Sequence, residues 1–134
     1  MPSIIDVEGI GKTYKQKLAK VNILTTDALL EAGATPKGRK DLAEKTGIGD
    51  ALILEWVNLA DLYRIKGVGS EYSDLLEEAG VDTVVELSKR VPKNLYEKMI
   101  EINEKKKLVR KLPSESQIAD WVDQAKKQDR KVKY

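Results

Sequence analysis

Two short turns of the form Gly-apolar-Gly are the features of this chain best suited to chemistry. They are Gly9-Ile10-Gly11 and Gly67-Val68-Gly69, and each is followed by an apolar periodic segment typical of a helix. The first glycine of such a turn can end one helix in a left-handed conformation that a Cβ would oppose. The second glycine lets backbone amides at the next helix N-terminus approach an anion closely. The turns therefore predict non-covalent binding of a phosphate group.

The composition excludes most other chemistry. The 134 residues contain no His and no Cys, which removes Ser-His and Cys-His nucleophiles, disulfides and most zinc sites. With 24 Lys+Arg against 22 Asp+Glu, the net charge of +2 does not fit a protein that coats a polyanion. The N-terminal residues lack the layout of a signal peptide, and no apolar run is long enough to span a membrane. We expect a cytoplasmic protein without a cofactor or a metal.

The elements that must position the turns are helical. Apolar stripes run through residues 51–65 and 114–128, and no segment alternates long enough to predict a strand. Thr35-Pro36 and Ser114 with Gln117 predict helix starts. A third turn, Gly47-Ile48-Gly49, is expected to be structural, because Asp50 follows it where an N-cap is needed. The residues expected to form left-handed C-terminal caps are Asn22, Gly33, Gly47, Gly67 and Gly80.

The chain repeats internally. An offset of 58 aligns the two turns and also pairs Tyr14 with Tyr72, and an offset of 65 pairs Trp56 with Trp121 on matched apolar stripes. The sequence therefore predicts a single compact domain of two related halves, about residues 1–61 and 62–128, packed with pseudo-two-fold symmetry. Both Trp side chains are expected in the core, and residues 129–134 form a basic C-terminal tail.

Several segments resemble known families. Each turn, with an apolar residue two positions before it (Val7, Ile65) and a Leu on the following helix, resembles the helix-hairpin-helix motif. Glu8-Gly9-Ile10-Gly11, Ala79-Gly80-Val81-Asp82-Thr83 and the segment 103–114 with the following Trp121 resemble the family known as domain of unknown function 4332. These resemblances imply an all-α fold, a tandem of pseudo-symmetric helix-hairpin-helix units similar to a small SAM-domain-like fold.

The resemblance also implies a partner. In helix-hairpin-helix proteins the anion is usually a DNA phosphate, and that contact carries no sequence information. We therefore expect sequence-independent binding to a nucleic-acid backbone, with duplex DNA as the first candidate. The residues predicted to contribute are the two turns with neighbouring polar residues and a later basic run: Gly9, Ile10, Gly11, Lys12, Lys15, Lys66, Gly67, Gly69, Ser70, Lys105, Lys106 and Lys107.

The charge around the two turns is opposite in sign. Residues 6–20 carry four Lys against two carboxylates, a net +2, whereas residues 64–78 carry two basic residues against four carboxylates, a net −2. Glu71 lies beside the amides that a phosphate would need, where it favours its own helix dipole. The first turn is therefore the better phosphate clamp, and one clamp instead of two predicts weak, strongly salt-sensitive binding.

The same inversion favours a second hypothesis from a different class, a protein-interaction or assembly module. The basic helix of one repeat would face the acidic helix of another, within the chain or between chains. Residues 104–134, with 10 Lys+Arg against 5 Asp+Glu and a net +5, also have two interpretations. They could track a phosphate backbone beside the first turn, but a solvated helix face with a frayed C-terminus is favoured.

Catalysis is not expected. Lys66 and Asp82 flank the second turn in a way that resembles the Lys and Asp of helix-hairpin-helix DNA glycosylases and lyases. Those enzymes place the Lys after the hairpin and the Asp further along, and they carry a second domain that forms a base pocket. This chain is too short for such a pocket, and Asp82 is better explained as a helix start.

Overall fold

The computed structural model describes residues 3–7 and 9–134, and this part of the chain is helical without a β-strand. The all-α prediction is confirmed. A 3-10 helix at Ile4–Asp6 precedes eight α-helices in the described ranges: α1 (Lys12–Ala19), α2 (Thr26–Ala32), α3 (Pro36–Thr46), α4 (Asp50–Leu62), α5 (Ser70–Glu78), α6 (Val84–Ser88), α7 (Pro92–Lys106) and α8 (Glu115–Lys126).

The chain divides into two compact units. Unit 1 consists of Met1–Asp61 together with Lys131–Tyr134, and unit 2 consists of Leu62–Arg130. Each unit contains one of the two Gly-apolar-Gly turns. The last four residues return to unit 1, where Val132 is buried and the Lys133 amide donates a hydrogen bond to the Ala34 carbonyl at 2.7 Å. The end of the chain is therefore docked rather than frayed, contrary to the favoured expectation.

Hydroxyl side chains form the N-caps of four of the α-helices. The N-caps of α2, α3, α6 and α8 each accept a hydrogen bond from the backbone amide three residues later, which satisfies one of the free donors of the first turn. Ser114 and Gln117 form the predicted capping box. The four caps are Thr25, Thr35, Thr83 and Ser114.

Two acidic residues, Asp50 and Asp82, lie at helix starts as predicted, although neither of them is the N-cap. Helix α4 begins at Asp50, so this carboxylate lies in the first turn and complements the helix dipole there instead of forming the N-cap. Asp82 precedes Thr83, whose hydroxyl accepts from the Glu86 amide and makes it the cap of α6. Both acidic residues still lie at helix starts.

Gly33 differs from the other predicted left-handed caps. It is the C-cap of α2, but its φ is −102°, a conformation open to any residue. A Cβ built on Gly33 would lie 2.4 Å from Cγ2 of Val57, so glycine is needed for close packing rather than for backbone conformation. The prediction of a left-handed cap is wrong at this residue. Positive φ angles occur at Asn22 (64°), Gly47 (74°), Gly67 (97°) and Gly80 (92°).

Each unit has a tryptophan in its core. Trp56 of α4 and Trp121 of α8 are buried almost completely, as the matched stripes predict. Tyr14 of α1 contacts the Trp56 ring edge-on, with centroids 4.9 Å apart, and Tyr72 of α5 contacts Trp121 at 5.3 Å. These aromatic pairs fix the helix that follows each turn against the core helix of the same unit.

Candidate functional site

The first turn is built from a left-handed glycine and a buried plug. Gly9 has φ +92°, and the next residue, Ile10, is 3% exposed. The Ile10 amide donates to the Val7 carbonyl at 3.1 Å, which closes the turn. A Cβ on Gly9 would lie 3.1 Å from Nε1 of Trp56, so the turn is pressed against the core as well as strained for other residues.

The start of α1 is open toward solvent. Its N-cap is Gly11, which has an extended conformation and no side chain to accept from the first-turn amides. A Cβ position on Gly11 has nothing within 4 Å, and Gly9, Gly11 and Lys12 are all exposed. Among the described residues, nothing therefore covers the positive end of this eight-residue helix beside Gly11, and Lys12 lies in its first turn with Lys15 one turn later.

The second turn repeats this backbone. Gly67 has φ +97°, Val68 is 6% exposed, and Gly69 is the side-chain-free N-cap of α5. A Cβ on Gly67 would lie 3.0 Å from Nε1 of Trp121, and one on Gly69 would have nothing within 4 Å. Ser70 is the first residue of α5, and its carbonyl accepts from the Ser73 hydroxyl at 3.0 Å.

Backbone hydrogen bonds in the two units are related by the offset of 58 that aligns the turns. The matching donor–acceptor pairs are Val7–Ile4 with Ile65–Leu62 (both 3.1 Å), Ile10–Val7 with Val68–Ile65 (both 3.1 Å), Ile23–Leu18 with Val81–Leu76 (3.0 and 2.9 Å) and Leu29–Thr25 with Leu87–Thr83 (both 3.0 Å). The pseudo-two-fold arrangement of the halves stays a prediction.

The polar groups around the second turn are less favourable for binding an anion than those around the first. Gln124 of α8 accepts from the Lys66 amide at 2.9 Å and donates to the Lys66 carbonyl at 3.2 Å. The backbone of this predicted site residue is thus occupied within unit 2. Glu71 lies in the first turn of α5, so a carboxylate occupies the surface to which the amides would attract an anion.

The later basic run lies at the C-terminal end of α7, in unit 2. Lys106 pairs with Glu78 at 2.6 Å, and Lys105 pairs with Glu101 at 3.7 Å. Lys107 is the left-handed C-cap, with φ 51°. Positive charges at this end complement the helix dipole, which is a structural reason for the run. Of the predicted site residues, Gly9, Ile10, Gly11, Lys12 and Lys15 belong to unit 1 and the others to unit 2.

Two side chains with structural roles were not singled out from the sequence, Gln124 and Arg39, which is 7% exposed. Tyr72 was singled out by the repeat, but not the contact of its hydroxyl, which donates to the Lys111 carbonyl at 2.9 Å. Arg39 and Leu42 are the buried residues of α3 and lie one turn apart on one face. That shared face was the available signal for Arg39, whereas the Gln124 and Tyr72 contacts join residues far apart in the chain.

The described part of the chain contains neither a cluster of acidic residues suited to a metal ion nor a helix suited to a membrane. Residues 3–7 and 9–134 contain no group of three or more Asp or Glu side chains placed to hold a metal ion. No helix within the same ranges is long and apolar enough to cross a membrane.

The fold and the site define an all-helical protein in which two units each present a Gly-apolar-Gly turn before a helix without a side-chain cap. The chain belongs to the family described as "Domain of unknown function (DUF4332)", whose model matches residues 8–128. The match includes both turns and confirms the family predicted from the sequence. No curated protein and no solved structure matches the chain.

Proposed function

We propose that this protein binds the phosphate backbone of a nucleic acid, with duplex DNA as the first candidate, without reading base sequence. The observation that carries the proposal is the start of α1, where Gly11 leaves the first-turn amides without a side-chain cap and open to solvent. A phosphate oxygen there would accept from these amides and complete the capping that hydroxyl groups provide at α2 and α3. The resemblance of the turn to the helix-hairpin-helix motif supports the same ligand.

The charge of the first turn favours this assignment. Among the described residues, Lys12, Lys15 and Lys20 form no ion pair, and the Lys17 ammonium lies 5.8 Å from the centre of the Tyr14 ring. Their charge is therefore available to a phosphate backbone. The contact involves amides and ammonium groups but no group aimed at base edges, so binding would be independent of sequence.

The second turn would contribute less. Gly67 and Gly69 provide the same backbone, but Glu71 opposes a phosphate, and the Lys66 amide is already bound to Gln124. Lys105 and Lys106 could act as auxiliary charges only by opening their exposed ion pairs, which are worth about 0–1 kcal/mol in proteins. One strong contact site predicts modest affinity that falls steeply with salt. The proposal includes no catalytic step.

The test is fluorescence anisotropy of a labelled mixed-sequence duplex at low and near-physiological salt. Lys12→Glu should weaken binding to all duplex sequences alike and lower the salt slope by ~1, because one phosphate contact is lost. The matched control is Lys45→Glu, which makes the same charge change at an exposed residue in the last turn of α3 and should bind nearly as the parent does. Absence of binding at low salt, or binding independent of salt, would contradict the proposal.

A second candidate function is assembly through the opposite charges of α1 and α5. The observation that favours it is the acidic surface of α5, where Glu71 and Glu78 are exposed at the two ends of the helix. Complementary charges of this kind set orientation and association rate more than affinity. Replacing Lys15 and Lys17 by Glu should then lower the oligomer mass or the melting temperature. An unchanged mass and melting temperature would reject this alternative.

A further inference from the structure

The guanidinium of Arg39 joins two segments of unit 1 that are distant in the chain. It is 7% exposed, and its Nη1 donates to the Gly33 carbonyl at 2.8 Å. Its Nη2 donates to the Lys133 carbonyl at 2.7 Å. Because both acceptors are main-chain carbonyls, this arginine recognises the backbone of the segment it holds rather than a particular side chain.

The segment Lys131–Tyr134 is held through its last three residues. The Lys133 amide donates to the Ala34 carbonyl at 2.7 Å, so both main-chain groups of Lys133 are paired with unit 1. The preceding Val132 is 1% exposed, and the Tyr134 hydroxyl donates to Oδ1 of Asn58 at 3.3 Å.

The groove that holds this segment is a built recognition surface. We define the tail groove as the part of unit 1 formed by Gly33, Ala34, Arg39 and Asn58. It provides a side-chain donor, the Arg39 guanidinium, and a main-chain acceptor, the Ala34 carbonyl, and the bound segment buries one apolar side chain, Val132. Main-chain pairing supplies affinity in such extended-peptide sites, and the apolar position supplies specificity.

We propose that the tail groove also binds residues 131–134 of a second copy of this chain, so that two copies exchange their terminal segments. The occupant that the groove fits is already known, because it is this chain's own segment. Exchange recreates the same contacts between molecules and therefore costs little. The inference is independent of the proposed nucleic-acid binding.

The residues that precede the segment are held in unit 2. Arg64 of unit 2 donates to the side-chain oxygen of Gln128 at 3.2 Å and to the Asp129 carbonyl at 2.7 Å. The chain is thus held in unit 2 as far as Asp129 and in unit 1 from Lys131 onward. Exchange would require the chain to change direction where it passes from unit 2 to unit 1, between Arg130 and Lys131.

The test is complementation between two full-length variants. Arg39→Ala damages the groove and leaves the segment intact, whereas Val132→Asp damages the segment and leaves the groove intact. Neither variant alone can dock the segment in the groove, within one molecule or between two identical molecules. In a mixture, however, the intact segment of Arg39→Ala can bind the intact groove of Val132→Asp. With one variant labelled with ¹⁵N, native mass spectrometry should detect a heterodimer of twice the 15.0 kDa chain in the mixture. A mixture containing monomers only, or homodimers as abundant as the heterodimer, would overturn the proposal.

A second measurement does not depend on the fold of Arg39→Ala. A labelled peptide of residues 128–134 is titrated into Val132→Asp and into the parent chain, with a peptide carrying the Val132→Asp change as control. Saturable binding to Val132→Asp, at least several-fold weaker binding to the parent, and no binding of the control peptide are expected. Equal affinities for the two proteins, or no binding to either, would show that the segment is not exchangeable.

Discussion

In unit 1 the Gly-apolar-Gly turn is followed by a helix with lysines, whereas in unit 2 it is followed by a helix with four carboxylates. The backbone is nonetheless the same, since Gly9 and Gly67 share a left-handed φ and each lies against a buried Trp Nε1. The shared features are those that a tight turn between packed helices requires. That packing does not require the charges of α1 and α5. A difference in binding between the two turns would therefore come from these charges.

The largest expected effect tests whether both units depend equally on their tryptophan. Trp56→Ala and Trp121→Ala should each lower the free energy of unfolding by about 3–5 kcal/mol, because each leaves a cavity in a closely packed core. Urea denaturation followed by circular dichroism measures the loss. Phe at the same positions keeps most of the ring contact with Tyr14 or Tyr72 and should cost less. A small loss of stability at only one of the two Trp positions would show that the units do not depend equally on their tryptophan.

The next effect isolates the turn glycines. Gly9→Ala and Gly67→Ala should each cost about 1–3 kcal/mol, because Ala is strained at their positive φ and its Cβ would press on the indole. Gly11→Ala and Gly69→Ala are the matched controls, since their Cβ positions are open, and they should change stability by less than about 1 kcal/mol. Thermal melts of the four variants make the comparison. Equal losses at the first and second glycines would refute this account of the turn.

The smallest expected effect concerns charge alone. Glu71→Lys gives the second turn a basic residue in the first helical turn and should strengthen duplex binding at low salt, with a salt slope steeper by ~1. Glu97→Lys, an exposed residue of α7, makes the same change in net charge and is the control. Anisotropy titrations at several salt concentrations measure both. Identical slopes for the two variants would mean that net charge, not the turn, governs binding.

Local patterns predicted much of this structure. The capping box at Ser114 needs only residues three positions apart, and the burial of Trp56 and Trp121 follows from apolar stripes on single helices. The family match over residues 8–128 likewise follows from motifs present in the sequence. The left-handed cap predicted at Gly33 was wrong. Glycine is required at this position because Val57 on another helix lies too close for a Cβ, not because of the backbone angle.

The features of the candidate site also fall into those that near neighbours in the sequence determine and those that depend on distant residues. The form of both turns and their opposite charges could be deduced from residues within a few positions of each other. The occupation of the Lys66 backbone by Gln124, and of the Arg39 guanidinium by Lys133, could not, since these partners are separated by 58 and 94 positions. Neither contact leaves a periodic or compositional trace.

The amino-acid order of this chain was sufficient for the helices, their hydroxyl caps and the two glycine turns, because the energies that favour them act between near neighbours. Folding in three dimensions added the docking of residues 131–134 in unit 1 and the choice of which polar groups stay open to solvent. Those outcomes depend on which distant main-chain groups meet in a closely packed interior, where buried main-chain donors and acceptors are nearly always paired.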